Sequence, residues 1–297
     1  MWKFKALAVL ALVSAARFAF GAACCGGSFA NPSLVAGDEK AQFTTSYAFT
    51  ELAVDNVDSR GMWRKWDEHQ QVQTLRLEGA HIFRDRWQAG ASVPVVSREL
   101  NDESHSGLGD VATSLGYEYL PDWDYHPVRP KGLAFLQVTL PTGLARAESE
   151  NGGLDSRGNG FLALGLGTLL SKTRGRFDLF TSVEVHRSLA KTVNNDQVHG
   201  KLAPGFGGSF GLGAGYSRRA LRLGSAITWF YEDPIRIADR AKTGAERYAT
   251  AALSLSYLAS DLWAATVTYT DQTLFGDPVN TSLGRGVVFQ LQRRWLR

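Results

Sequence analysis

The chain has 297 residues, 44% hydrophobic and 11% aromatic, with 31 Gly against only 2 Cys and 2 Met. Its formal charge of +3 comes from Lys3, Lys5 and Arg17 in a leading segment that carries no acid; without that segment 29 basic residues face 29 acidic ones, and the basic footprint of a nucleic-acid partner is missing. No later apolar run reaches the roughly 18 residues of a membrane helix, which excludes helical spans.

The first element is a processing signal. Lys3 and Lys5 precede the short apolar run "ALAVLALV" (6–13), and small residues follow, as in a secretory signal peptide. Gly21-Ala22-Ala23 offers a cleavage site before Cys24, with Ser14-Ala15-Ala16 as a weaker option. Residues 1–23 therefore read as a Sec-type signal, 24–38 as an N-terminal periplasmic leader, and 39–297 as the folded domain.

From there a period of two recurs, the signature of half-buried strands. "AQFTTSYAFT" (41–50) sets Phe43, Tyr47 and Phe49 against Gln42, Thr44 and Ser46. A weaker strand near 71–83 is followed by "WQAGASVPVV" (87–96), with Trp87, Ala89, Ala91, Val93 and Val95 on one face. "GDVATSLGYEYLP" (109–121) alternates throughout: Val111, Thr113, Leu115, Tyr117 and Tyr119 oppose Asp110, Ala112, Ser114, Gly116 and Glu118. Weaker strands near 132–140 and 158–171 lead to "RFDLFTSVEVH" (176–186), another weak one near 205–217, and "ALRLGSAITWFYE" (220–232). "YATAALSLSYL" (248–258), "LWAATVTYT" (262–270) and "GVVFQLQRRW" (286–295) complete about twelve strands, an even number of the kind transmembrane barrels use.

The connections alternate in length with the strands. Long ones fall at 52–69, 98–107, 141–157, 190–204, 232–246 and 273–284; short ones at 84–86, 172–175, 217–219 and 259–261. The Pro-rich 120–131 breaks the rule on the short side. Long external loops and short periplasmic turns characterise outer-membrane barrels. Threading the strands up and down places Trp87, Tyr119, Tyr216, Tyr257, Trp263 and Trp295 at the periplasmic ends, facing outward, and Trp229, Tyr231 and Tyr269 at the opposite ends. Such girdles suit rings with an apolar body and a polar tip. The expected architecture is all-β: a monomeric antiparallel transmembrane β-barrel in the outer membrane of a Gram-negative cell, both termini periplasmic and the greasy face on lipid. Only a closed sheet lets strands satisfy their backbone groups in hydrocarbon.

"GLGDVATSLGYEYL" followed by "LAFLQVTLPTG" (133–143) resembles the outer-membrane transporter family associated with the meta-pathway of phenol degradation. The matching positions are Gly107, Gly109, Asp110, Pro141, Thr142 and Gly143, then the Gly-rich return at 158–167. The resemblance covers the middle third closely and the remainder in rhythm; it implies a channel or uptake barrel for small, hydrophobic or aromatic molecules. Barrel proteins usually end in an aromatic residue read by the barrel assembly machinery, an expected partner here too. This sequence departs from that pattern, ending Trp295-Leu296-Arg297.

Candidate lumen and constriction residues are Arg76, Glu78, Asp110, Glu118, Glu184, His186, Arg222 and Arg294, with Gln290 and Gln292 in the same register. They read either as a polar filling, as in small barrels, or as a selective constriction. Phe135, Phe180, Phe230 and Tyr248 also face inward, an apolar stripe suited to a hydrophobic cargo. In "EVHRS" (184–188), His186 and Ser188 share a strand face as in outer-membrane phospholipase, but no Asn is placed to orient the His. An enzyme is therefore not expected. Cys24 and Cys25 leave several readings open: a lipidation site lacking the usual Leu, a strained vicinal disulfide with Cα atoms about 3.8 Å apart, a redox or soft-metal pair, a link to another chain, or a leader without chemistry. The loop at 145–160 carries Glu148, Glu150, Asp155 and Asn159 in a spacing that matches no EF-hand. No metal or cofactor is expected. Passage of a small-molecule cargo is the leading function; a non-transporting scaffold or partner-binding barrel is the alternative.

Overall fold

A computed structural model describes residues 32–65, 69–101, 103–150, 153–194, 199–237 and 243–297. The signal segment and Cys24-Cys25 lie outside them. Twelve strands form the wall: β1 (Glu39–Val57), β2 (Gln70–Phe83), β3 (Trp87–Leu100), β4 (Val111–Leu120), β5 (Lys131–Leu140), β6 (Ala163–Arg174), β7 (Phe177–Ser188), β8 (Phe206–Arg218), β9 (Leu221–Glu232), β10 (Glu246–Leu258), β11 (Trp263–Asp271) and β12 (Thr281–Leu296). Each pairs antiparallel with its chain neighbours, and β12 returns to β1 in a register running from Glu39↔Leu296 to Val57↔Thr281. The sheet is a closed, twelve-stranded antiparallel barrel. Gln292 donates from Nε2 to Gln42 Oε1 at 3.0 Å across the closing seam, on the inner face.

The period of two sorts the side chains. Outward-pointing Phe43, Tyr47, Leu166, Leu179, Leu223, Leu255, Val267 and Leu291 are exposed, while inward Thr44, Ala48, Ser92, Ser114, Ser182, Thr228, Ser254 and Thr268 are buried. A soluble monomer does not carry an apolar belt around its whole circumference; this one is built to meet hydrocarbon. The wall needs closure for the same reason, since an open edge in lipid would leave N–H and C=O groups unpaired. The six outward Trp and Tyr residues expected near the short turns are all exposed there, and Arg293 places its guanidinium 5.4 Å from the Trp263 ring and 5.2 Å from that of Trp295. Val267, on the outward face between Trp263 and Tyr269, gives a direct test. Val267→Arg is expected to weaken folding into lipid vesicles by about 2–4 kcal/mol, read as a lower urea midpoint.

Four expected connections hold strand where the sequence suggested loop. β1 runs on to Val57 and pairs there with Trp63–Arg64; the top of β3 pairs with Glu103–Leu108. Lys191–Asn194, His199–Ala203 and Arg236–Ile237 form a separate three-stranded patch. These extensions stand beyond the regular wall and bury only a few apolar side chains, among them Val54, Val57, Val193 and Leu202, so no continuous alternation marks them. The sixth strand was expected from 158 but begins at Ala163, because the backbone N–H groups of Asn159 and Gly160 are turned to the Asp110 carboxylate instead of a ladder.

Residues 32–38, the described part of the expected N-terminal periplasmic leader at 24–38, run along the inner face of the barrel. Val35 is fully buried among inward-facing Ala80 and Ile82, and the carbonyls of Ser33, Leu34 and Gly37 accept hydrogen bonds from the inward side chains of Ser114, Gln42 and Lys131.

Candidate functional site

The inner surface is organised around glycine. The inward face of β8 reads Gly207, Ser209, Gly211, Gly213, Gly215 and Ser217, a track almost without side chains. Residues of β7 and β9, two strands apart, therefore meet over it. Asp178 and Arg222 form a two-pronged ion pair above Gly215, Nε to Oδ1 at 2.9 Å and Nη2 to Oδ2 at 2.5 Å, with both side chains 5% exposed. Over Gly207, His186 bridges Glu184 on its own strand (Nδ1 to Oε1, 3.0 Å) and Glu232 on β9 (Nε2 to Oε1, 2.9 Å). Phe180 occupies the space beside Gly213, and Phe135 of β5 that beside Gly167 of β6; a methyl group at either glycine would land on the ring. Phe230 and Tyr248 stack with centroids 4.8 Å apart. The four inward aromatic residues lie against neighbours on the wall.

The expected constriction residues separate into local groups. Arg76 and Glu78 face each other along β2 at 3.9 Å, with Ser92 hydrogen-bonding the carboxylate. At the short-turn end Glu118 lies 3.7 Å from Lys131 and 4.0 Å from Arg297, and buried Arg294 faces the Glu39 carboxylate. Arg222 pairs with Asp178, which the sequence reading did not single out. Glu184 and His186 sit toward the long-loop end.

Asp110 stands apart, at the long-loop mouth, and there the family-like motifs meet. Its Oδ1 accepts from Gly143 N (3.0 Å), and its Oδ2 from Asn159 N (2.6 Å) and Gly160 N (3.3 Å). Thr142 donates from Oγ1 to the Gly109 carbonyl at 2.6 Å and accepts from Val111 N at 3.0 Å. Gly107 and Gly109 leave room for Arg157, which donates from Nη1 to the Ser106 carbonyl at 2.8 Å. Gly-x-Gly-Asp and Pro-Thr-Gly are thus two halves of one clasp that ties the loop at 141–160 to the inner rim. Ser149 donates to Asp155 within that loop.

His186 bears on the phospholipase-like reading. Carboxylates only accept hydrogen bonds, so a ring bonded to Glu184 and Glu232 donates from both nitrogens and has none left to take a proton from Ser188. Outside the wall, Asp58 is held below the usual carboxylate range by the backbone N–H groups of Met62 and Arg60. No cluster of metal-ligating side chains is present among the described residues.

No family model matches the sequence, and a search of curated proteins finds no match. Solved structures do resemble it. An outer-membrane channel from Pseudomonas putida F1 superposes with a TM-score of 0.70 at 12% identity, over 91% of this chain and 99% of that one. The translocator domain of the autotransporter NalP from Neisseria meningitidis gives 0.48 at 11% identity over 99% and 95%, and the NanC porin 0.47 at 10% over 85% and 98%. In fold, this chain is a twelve-stranded barrel of the same kind as the Pseudomonas channel.

Proposed function

We propose that the protein is an outer-membrane channel that lets small, mildly hydrophobic or aromatic molecules cross. The observation that carries this reading is the sideways pairing of the inner side chains. Asp178 with Arg222 and Glu184 with His186 and Glu232 close their charges along the wall, over the glycines of β8, and the Phe135 and Phe180 rings lie against glycines. In a barrel plugged by its own side chains, such groups reach across the axis and interlock. Here the charges close between strands two apart on one side of the wall, and Phe135, Phe180, Phe230 and Tyr248 add an apolar stripe to the same inner face, the mixture a weakly polar aromatic solute would meet on its way through.

The P. putida structure supports the fold beneath this reading. The cargo rests on the lumen chemistry and on the resemblance of the motifs at 107–110 and 141–143. Lipid around the belt and the barrel assembly machinery at β12 are the partners this reading requires.

Proteoliposome swelling with a graded set of neutral solutes tests it. Swelling is expected for small solutes and faster entry for aromatic than for equally large polyhydroxylated ones. No permeation of any solute would favour the scaffold reading.

A further inference from the structure

Two short turns, side by side, carry a charge that the lumen does not use. The β6–β7 turn reads "KTRGR" (172–176) and the β8–β9 turn "SRRA" (217–220), four arginines and a lysine with no acid between them. Because β7 pairs with β8, the two turns are neighbours at one end of the wall. Lys172 is taken up by Asp122 at 2.9 Å. Arg174, Arg176, Arg218 and Arg219 are exposed and stand in no ion pair among the described residues. Turn geometry does not ask for so many. Both are two-residue hairpins, closed by Arg174 opposite Phe177 and by Arg218 opposite Leu221. Their first loop position has a φ of 60° at Gly175 and 55° at Arg219. Glycine suits that left-handed backbone, whereas arginine adopts it against the crowding of its own Cβ.

The arginines border the lipid-facing side of the wall. Outward-facing Phe177 lies opposite Arg174 of β6 and opposite Tyr216 of β8. The Phe177 and Tyr216 rings pack with centroids 5.1 Å apart, and Arg176 donates from Nη1 to the Tyr216 hydroxyl at 3.4 Å. Two residues further along the strands, about 7 Å toward the middle of the wall, Leu179 and Leu223 are exposed. The order up the wall is thus guanidinium, aromatic ring, aliphatic side chain. The girdle at the long-loop end has the opposite sign: Tyr231 donates to Asp233 Oδ1 at 3.0 Å, and Tyr269 to Asp271 Oδ2 at 3.1 Å. A phosphate is repelled by those carboxylates and drawn to the arginines.

We propose that this patch binds an anionic glycerophospholipid of the leaflet at the short-turn end, its phosphate held by the guanidinium groups of the two turns and its acyl chains lying on Leu179 and Leu223. Guanidinium groups present paired N–H donors that match phosphate oxygens. Attraction between basic side chains and anionic headgroups is strongest close to the membrane surface, which is where the aromatic girdle places these four. A free phosphate ion would gain nothing from the exposed rings and leucines below the arginines. The cations and the apolar wall together fit a molecule that has both a phosphate and hydrocarbon chains.

Native mass spectrometry of the whole barrel in a non-ionic detergent, titrated with phosphatidylglycerol or phosphatidylcholine, reads the first lipid retained. Phosphatidylglycerol is expected to bind roughly tenfold more tightly than phosphatidylcholine, and within about twofold of it once Arg174, Arg176 and Arg218 are all changed to glutamine. Arg219→Gly guards against a folding defect, since it eases the turn while removing one cation. It should weaken phosphatidylglycerol binding about threefold to fivefold without lowering the urea midpoint. Arg60→Gln with Arg64→Gln, at the long-loop end, should leave the preference intact. Equal retention of the two lipids by the parent chain, or an undiminished preference in both the triple variant and Arg219→Gly, overturns the proposal. Displacement of the lipid by an equal concentration of inorganic phosphate also overturns it, by marking a free-anion site. None of these readouts involves solute passage, so the channel reading stands or falls separately.

Discussion

Asp178→Ala is expected to cost the barrel about 3–5 kcal/mol, because it removes the two-pronged carboxylate partner of the Arg222 guanidinium, 5% exposed, on the inner wall. The loss should appear as a large fall in the urea midpoint in vesicles, or in the temperature at which the compact form disappears on a semi-native gel. Arg222→Ala should cost a comparable amount, since the Asp178 carboxylate it leaves behind is equally buried. Changing both together, Asp178→Leu with Arg222→Leu, should recover most of the loss, because a buried pair replaced whole by apolar groups is often near neutral. A double variant no better than Asp178→Ala would show that the pair itself holds β7 and β9 in place across β8. Gly215→Val should mimic the single variant, since its side chain would occupy the space where the two charged groups meet.

The second large effect belongs to Asp110. Asp110→Ala removes the acceptor of three backbone N–H groups, from Gly143, Asn159 and Gly160; hydrogen bonds to a charged group and the cost of leaving donors unpaired together put the loss near 2–4 kcal/mol of loop docking. The expected readout is local: protease cuts the segment at 144–160 much faster, while the barrel keeps its compact migration. Asp110→Asn, which keeps one acceptor, should fall between. If the barrel itself fails to form in Asp110→Ala, the clasp contributes to assembly of β4 to β6 rather than to the mouth alone.

Much of this was legible in the sequence because a barrel wall is a repetitive constraint. Lipid outside and polar groups inside force every strand to alternate, so "GDVATSLGYEYLP" and "YATAALSLSYL" each declare both faces without help from the other strands. Turn lengths and terminal aromatics repeat the same message. Less legible was what depends on neighbours across the barrel. Nothing in "RFDLF" or "ALRLG" says that Asp178 and Arg222 meet; the clue lies in the strand between them, where every inward position of "GGSFGLGAGYS" is Gly or Ser. Read as a track for its neighbours, that strand would have suggested the bridging. The clasp was visible as motifs but not as a clasp, since residues 107–110, 141–143 and 157–160 come together only once the loop folds back. The leader was opaque for a different reason: "PSLVAG" carries no alternation, and its docking rests on main-chain groups, which every sequence has.

The central claim is that alternate residues of one closed sheet face lipid tails and the bore. Nitroxide labels placed singly at 264 to 269 on β11, in vesicles, test it most directly through relaxation by oxygen and by a water-soluble nickel chelate. The account predicts high oxygen exposure at 265 and 267, low at 264, 266 and 268, with nickel access low at the outward sites. A flat profile, or outward positions shielded from oxygen and nickel alike as in a dry protein interior, would contradict it.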